Sequence, residues 1–162
     1  MLRSGVIAVV LVGAGLAVAA MQASVADWNR YDNPRFSYAI DIPPGFSDVS
    51  EAQNSDGGVS NSADGKAELR VWGGYLVDRS FKSDVEERVQ SDSSNGWNIS
   101  YDRRAASAAS WSGSKNGRVF YARAMTGCDD SAIYFRLEYE HSQLKVYDAI
   151  VSRLVKSLHG MC

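Results

Sequence analysis

The two histidines are the side chains of this 162-residue chain best suited to acid–base chemistry near neutral pH. A histidine that acts as a base needs a carboxylate that orients its ring and a nucleophile that gives up a proton. His141 lies in a predicted turn, and Asp129 and Asp130 are the acids that would serve it. No serine lies in a Gly-x-Ser-x-Gly motif. The sequence therefore favours a protein without catalysis, with an envelope hydrolase that uses His141 and a nearby acid as an alternative.

The spacing of the histidines also argues against a metal site. His141 and His159 flank a predicted helix of about 15 residues, which separates their side chains by some 20 Å or more. Ligands of one zinc ion lie only about 2 Å from it, so the two histidines cannot share a metal. We therefore expect no metal and no cofactor.

Cys128 and Cys162 are the two cysteines of the chain. An even number of cysteines in an exported protein favours a disulfide bond. This bond would tie the last residue to a loop near the middle of the chain. The spacing is not that of a Cys-x-x-Cys redox pair. Two free thiols or an intermolecular bond are the alternatives.

Aromatic residues are numerous, with four tryptophans and eight tyrosines. Most of them fall on predicted strands, where aromatic side chains pack well, and this favours a place in the core. Tryptophan and tyrosine are also preferred anchors of protein interfaces. Trp28, Trp72 and Tyr75 are therefore the candidate partner surface, and we expect another envelope protein to bind there.

The first 20 residues predict a secretory signal peptide. Arg3 supplies a positive charge, and residues 5–20 carry no charged side chain. This apolar run is shorter than the roughly 20 residues that a transmembrane helix needs. Ala17-Val18-Ala19 fits a cleavage site, and Ser24-Val25-Ala26 is a second possible exit. The sequence therefore predicts a periplasmic or secreted protein, with an uncleaved membrane anchor as the alternative.

Length and charge limit the remaining classes of function. Residues 27–162 suit a single domain. The formal net charge of the chain is −2, and basic residues are interleaved with acidic ones. No cluster of lysine and arginine marks a surface for nucleic acid or anionic lipid. We therefore expect no nucleic-acid partner, and membrane contact only through the N-terminal segment where it stays uncleaved.

Hydrophobic periodicity predicts several strands and a helix between them. Apolar and polar side chains alternate as in strands with one packed face in segments 36–42, 67–72, 97–101 and 133–139. Asn116-Gly117 is a strong hairpin signal. A helix is predicted over residues 80–93, with Ser83 and Glu86 as its capping box. Its narrow apolar stripe consists of Phe81, Val85 and Val89.

A second helix closes the chain. Its apolar positions run from Tyr147 to Leu158 in one broad stripe, and His159-Gly160 ends it. Antiparallel strands together with two helices predict an α+β fold, in which the helices flank an antiparallel sheet.

The segment Tyr31 to Pro43 reads Tyr-Asp-Asn-Pro-Arg-Phe-Ser-Tyr-Ala-Ile-Asp-Ile-Pro and resembles the opening of exported bacterial domains with the Mog/PsbP-like fold. Segment 62–71, followed by Gly73-Gly74, and the closing helix are similar to that family as well. The resemblance covers most of residues 28–158 and implies a layered sandwich of sheet and helices. It also implies a protein that is not an enzyme, since characterised relatives are a Ran-binding protein and an extrinsic subunit of photosystem II.

Neither of those two activities carries over, because an exported protein does not meet Ran and nothing in the sequence indicates photosynthesis. The sequence thus predicts a non-catalytic exported binding or assembly module of unspecified function. An immunity or inhibitor protein against an exported toxin is a further alternative.

Overall fold

The computed structural model describes residues 27–162. The predicted signal peptide, residues 1–20, and both of its possible cleavage sites lie outside the described residues. Within the part that is described, no helix is both long enough and apolar enough to cross a membrane.

Residues 27–162 form ten strands and two α-helices. The strands are β1 (Asn29–Asn33), β2 (Tyr38–Ile42), β3 (Ser50–Glu51), β4 (Gly57–Asn61), β5 (Glu68–Tyr75), β6 (Asn98–Arg104), β7 (Ala108–Lys115), β8 (Arg118–Thr126), β9 (Ser131–Glu140) and β10 (His159–Gly160). The helices are α1 (Phe81–Ser94) and α2 (Leu144–Ser157), and a 3₁₀ turn (His141–Gln143) precedes α2.

Seven of the strands form one antiparallel sheet in the order β3-β4-β5-β9-β8-β7-β6. The hairpin predicted at Asn116-Gly117 is confirmed, and it joins β7 to β8. Both turn residues have a positive φ, of 49° and 76°, as the tight hairpin turns that fit the twist of two strands require. The remaining strands form a smaller antiparallel sheet in the order β1-β2-β10.

The large sheet is covered on both faces. Phe81, Val85 and Val89 of α1 pack on one face, as their spacing predicts. The small sheet and α2 pack on the other face, where Tyr147 and Leu154 are buried. The predicted α+β sandwich of an antiparallel sheet flanked by two helices is therefore confirmed.

Strand β9 differs from its prediction, because both of its faces are packed. Ile133, Phe135, Leu137 and Tyr139 face α2 as expected. On the α1 face, Tyr134 is buried and Arg136 is largely buried. Arg136 reaches this position because its guanidinium bonds to Asp92 of α1 at 2.9 Å. A central strand of alternating pattern can thus bury a charged side chain on its second face when that side chain forms an ion pair.

The bounds of α1 agree with the predicted helix over residues 80–93, but its capping box differs from the prediction. The N-terminal cap is Ser80, three residues before the predicted Ser83. The Ser80 hydroxyl accepts a hydrogen bond of 3.1 Å from the Ser83 backbone N–H, and the Ser83 hydroxyl accepts one of 3.1 Å from the Ser80 N–H. Serine replaces the usual glutamate of a capping box because its hydroxyl can accept the same bond.

The two cysteines lie close together. Cys128, in the loop between β8 and β9, and Cys162 have their sulfur atoms at disulfide distance and their Cα atoms 5.8 Å apart. Strand β10 lies two residues before Cys162 and pairs with β2 through His159 and Gly160. The predicted disulfide therefore needs no movement of the backbone, and it would hold the C terminus against the small sheet.

Candidate functional site

Helix α2 and the small sheet leave part of the large sheet uncovered. Within the described residues, helix α2 lies mainly against β2, β8 and β9 and has no comparable contact with β6 or β7, so their α2-side face is largely uncovered. An open cavity of about 530 Å³ follows the boundary between α2 and this uncovered face. We call it the α2 groove; its main lining residues are Tyr101, Val119, Tyr121, Tyr139, Val151 and Val155.

A row of side chains on three neighbouring strands forms the floor of the α2 groove. Tyr101 on β6 lies opposite Ser112 on β7, which lies opposite Tyr121 on β8. Residues that pair directly across strands share one face of the sheet. Ser112 is small, so the two tyrosine rings approach across it and stack at 6.1 Å between centroids. The small central serine thus makes a trough between two aromatic rings.

The tyrosine row continues into the core. The Tyr121 ring stacks on Phe135 of β9 with 6.2 Å between centroids. Phe135 is fully buried, Tyr121 is half-buried and Tyr101 is 41% exposed. Aromatic side chains therefore run from the core to solvent, and the core anchors the exposed end of the row.

Helix α2 forms the wall of the groove. Val151 and Val155 are only half-buried, although they belong to the apolar stripe that predicts the helix. Asp148 and Lys156 also line the groove. The stripe is broader than the surface that α2 covers, so one side of it faces the groove.

Burial strengthens the preference of the groove phenols for their protonated form. Burial raises the pKa of Tyr121 above its ordinary value. Burial also raises the pKa of Tyr139, and the nearby charge of Asp148 adds to the effect. Both hydroxyl groups are neutral at physiological pH, as a phenol with the ordinary pKa of about 10 already is, and a neutral phenol can donate a hydrogen bond.

A second row of residues lies beside the tyrosine row. Arg103 on β6 lies opposite Ser110 on β7, which lies opposite Arg123 on β8. An Nη1 atom of Arg123 donates a hydrogen bond of 3.0 Å to the Ser110 hydroxyl. These residues line a second open cavity of about 410 Å³, and Tyr101 lines both cavities. The α2 groove, which is lined by aromatic residues, and the second cavity, which is lined by arginines, are therefore neighbours on the same uncovered face.

The proposed acid–base pair is separated by the fold. Asp129 and Asp130 precede β9, and His141 follows it. Ten residues of strand lie between them, a distance of about 30 Å at 3.3 Å per residue. A hydrolase in which His141 uses Asp129 or Asp130 is therefore excluded. His159 lies at the opposite end of α2 from His141, and the described residues contain no group of three or more metal-ligating side chains.

The aromatic residues of the candidate partner surface lie in three different places. Trp28 is half-buried against the core on the α2 side, and the Arg153 guanidinium lies 4.4 Å from its ring centroid. Trp72 packs on the α1 side and stacks on Tyr134 at 5.1 Å. Tyr75 is 55% exposed.

Trp72 and Tyr75 lie on opposite faces of β5, because successive side chains of a strand alternate. Trp28, Trp72 and Tyr75 therefore do not form one continuous surface. The residues of the α2 groove were not singled out by sequence reasoning. The only sequence signal for these residues is the alternation of apolar and polar side chains that ends at Tyr101. This alternation predicts a strand but does not show which strands become its neighbours.

No family model and no curated protein matches the chain. Solved structures do match its fold. Cyanobacterial PsbP (CyanoP) from Synechocystis is 16% identical, with a TM-score of 0.60 over 90% of this chain and 99% of that one. The Ran-binding protein Mog1p of Saccharomyces cerevisiae is 12% identical, with a TM-score of 0.62 over 84% of this chain and 96% of that one.

A point mutant of Mog1 gives a similar result, at 11% identity and a TM-score of 0.61 over 83% of this chain and 96% of that one. Identities this low show the fold and leave the activity open. The architecture that the sequence resemblance implies is confirmed: the chain has the α+β fold shared by PsbP and Mog1.

Proposed function

We propose that the protein is a non-catalytic binding module that works in the periplasm or after secretion, and that it holds a segment of another envelope protein in the α2 groove. The observation that carries this proposal is the tyrosine row on an uncovered sheet face. Tyr101 is 41% exposed while its ring stacks on Tyr121. Half-exposed aromatic side chains fixed on a rigid sheet are well suited to anchor a partner.

The shape of the α2 groove also supports binding. Its volume of about 530 Å³ lies within the range of known ligand sites. Its walls are apolar, and neutral hydroxyl groups of Tyr121 and Tyr139 supply hydrogen-bond donors. This mixture of apolar area and a few polar groups is typical of recognition sites.

Export is supported by two independent features. The N-terminal segment has the composition of a signal peptide. Cys128 and Cys162 lie at disulfide distance, and disulfide bonds persist in oxidising compartments. A solved structure of the same fold is named as a Ran-binding protein, which is a precedent for a protein partner on this fold. The partner proposed here is an envelope protein.

The proposal is tested by photo-crosslinking in the native envelope. A photoreactive amino acid replaces Tyr101 in one variant and Tyr75 in the other; both tyrosines are exposed, at 41% and 55%. We expect the Tyr101 variant to give a specific crosslinked protein and the Tyr75 variant to give none.

The captured partner is then purified and its affinity is measured for Tyr101→Ala and Tyr75→Ala. We expect Tyr101→Ala to lower the affinity by about ten-fold or more and Tyr75→Ala to leave it unchanged. A partner whose binding depends on Tyr75 and is indifferent to Tyr101 would move the binding surface to the loop after β5 and overturn the proposal.

A further inference from the structure

The arginines of the basic row beside the α2 groove differ from most other arginines in residues 27–162. Most arginines in residues 27–162 form an ion pair with an acid. They are Arg30, Arg70, Arg79, Arg88, Arg104, Arg136 and Arg153. Arg103 and Arg123 form none within the described residues. Two positive charges therefore lie on one sheet face without a carboxylate to balance them.

Arg123 is also incompletely hydrogen-bonded. Its Nε atom is buried and has no acceptor in the described part of the chain. A buried donor without a partner lowers stability, and such groups are rare in folded proteins. The Nη1 atom of the same guanidinium donates a hydrogen bond of 3.0 Å to the Ser110 hydroxyl. Arg123 is thus a fixed cation that lacks an anionic acceptor.

The acids of the surrounding strands do not supply that acceptor. Asp102, on β6, pairs with Arg104 at 2.6 Å. It lies opposite Trp111, whose side chain packs on the α1 face of the sheet. On the other side of Arg123, the residue opposite it on β9 is Phe135. The acceptor must therefore come from outside this part of the molecule.

The spacing of the two rows identifies the shape of the ligand. Tyr121 and Arg123 are two residues apart on β8, so their rows are separated by about 6.8 Å. The same distance separates side chains i and i+2 on one face of an extended peptide. An extended peptide can therefore contact both rows at once. When one of its side chains lies on the tyrosine row, the side chain two positions away on the same face lies on the basic row.

We propose that the groove binds an extended segment of the partner protein in which an aromatic or apolar residue lies two positions from an aspartate or glutamate, in either order. The carboxylate accepts hydrogen bonds from Arg123, with Arg103 adding a second positive charge. Arginine suits this role because its planar fork of N–H groups matches a carboxylate. This inference rests on the proposed function and adds the chemistry of the partner to it.

The test is a selection of peptides of about twelve residues from a random display library against the purified protein. We expect the selected peptides to contain an aromatic or apolar residue and an acid two positions apart, in either order. A selected peptide should bind Arg123→Gln at least about ten-fold more weakly than wild type. Arg118→Gln is the matched control, because Arg118 lies on the same strand and has no ion pair in the described residues, but points to the opposite face. It should bind like wild type.

The contact between Arg123 and the peptide carboxylate is tested by changing both partners, singly and together. Replacement of the peptide acid by its amide should weaken binding to wild type and cause no further loss with Arg123→Gln. Arg123→Gln removes the buried unpaired donor, so we expect it to fold and to melt at or above the wild-type temperature. Arg123→Lys, which keeps the charge and loses the fork, should bind with intermediate affinity and serves as the second variant.

The outcomes separate the two proposals. Peptides that depend on Tyr101 but show no preference for acids, or that bind Arg123→Gln as well as wild type, would overturn the carboxylate site and leave the binding groove intact. Failure to select any peptide sensitive to Tyr101→Ala would overturn both. In that case, binding of sodium decanoate to wild type but not to Arg123→Gln would assign the basic row to a free amphiphilic acid in place of a protein segment.

Discussion

The hydroxyl group of Tyr134 on β9 donates a hydrogen bond of 2.8 Å to the Oδ2 atom of Asp84 on α1. Asp84 is 4% exposed, and it also accepts a hydrogen bond of 2.7 Å from Arg88. The Arg88 guanidinium lies 4.1 Å from the centroid of the Tyr134 ring. The apolar stripe of α1 is narrow, so this polar cluster is a main attachment of the helix to the sheet.

Asp84→Ala is expected to destabilise the protein by about 2–3 kcal/mol. This is less than the 3–5 kcal/mol typical of a broken buried ion pair, because Arg88 is partly exposed and can reach water. Glu87→Ala is the matched control. Glu87 also pairs with an arginine, at 2.8 Å from Arg79, but its side chain is 69% exposed. It should cost less than about 0.5 kcal/mol. Urea denaturation measures both, and equal losses would contradict the role given to Asp84.

Gly73 and Gly74 give a second comparison within one strand. A Cβ atom at Gly73 would lie 2.4 Å from the Phe36 ring, which is buried between the small sheet and the large one. A Cβ atom at Gly74 would meet nothing within 4 Å. We expect Gly73→Ala to cost about 1–3 kcal/mol, because Phe36 has little space in which to move. Gly74→Ala should change the free energy of unfolding by less than about 0.5 kcal/mol. A neutral Gly73→Ala would show that Phe36 repacks freely.

The disulfide gives a third prediction. Cys128 and Cys162 are 34 positions apart in sequence, and closing a loop of this length is worth about 3–4 kcal/mol in the chain-entropy model. Replacement of both cysteines by serine should lower the free energy of unfolding by about that amount. A reducing agent should destabilise wild type equally and leave the double variant unchanged. Wild-type protein that is insensitive to reduction at its midpoint of unfolding would show that the bond is not formed.

The elements that local chemistry determines could be predicted from the sequence. The hairpin at Asn116-Gly117 follows from two residues that tolerate positive φ. The stripe of Phe81, Val85 and Val89 requires only the helical repeat. The sequence predicts the cap of α1 at Ser83, one turn too late, because Ser80 and Ser83 are equally able to cap a helix and only the packed structure selects between them.

The candidate site could not be predicted in the same way. Strand β7 is rich in alanine and serine and carries no strong strand signal; it forms because β6 and β8 provide partners on both sides. The α2 groove depends on the register that places Ser112 between Tyr101 and Tyr121. Register across three strands is a tertiary property. The composition shows an excess of tyrosine but not which tyrosines meet.

The buried tyrosines predict a loss of stability at alkaline pH. Burial raises the pKa of Tyr134 far above its ordinary value, and its hydrogen bond to Asp84 also favours the protonated phenol. Burial raises the pKa of Tyr38 in the same direction. In the unfolded chain both phenols lose their protons near pH 10, while in the folded protein they keep them. Because the unfolded state then binds fewer protons, the contribution of these two phenols to the free energy of unfolding is constant below about pH 10 and falls as the pH rises above it.

Each such group contributes a decline of up to about 1.4 kcal/mol per pH unit above pH 10. Tyr134→Phe removes one titrating group, so its stability should start lower, because the bond to Asp84 is lost, but should fall less steeply with pH. Urea denaturation at intervals above pH 9 measures the two slopes. Parallel slopes for wild type and Tyr134→Phe would mean that Tyr134 ionises in the folded protein as easily as in the unfolded chain, in conflict with its burial between Trp72 and α1.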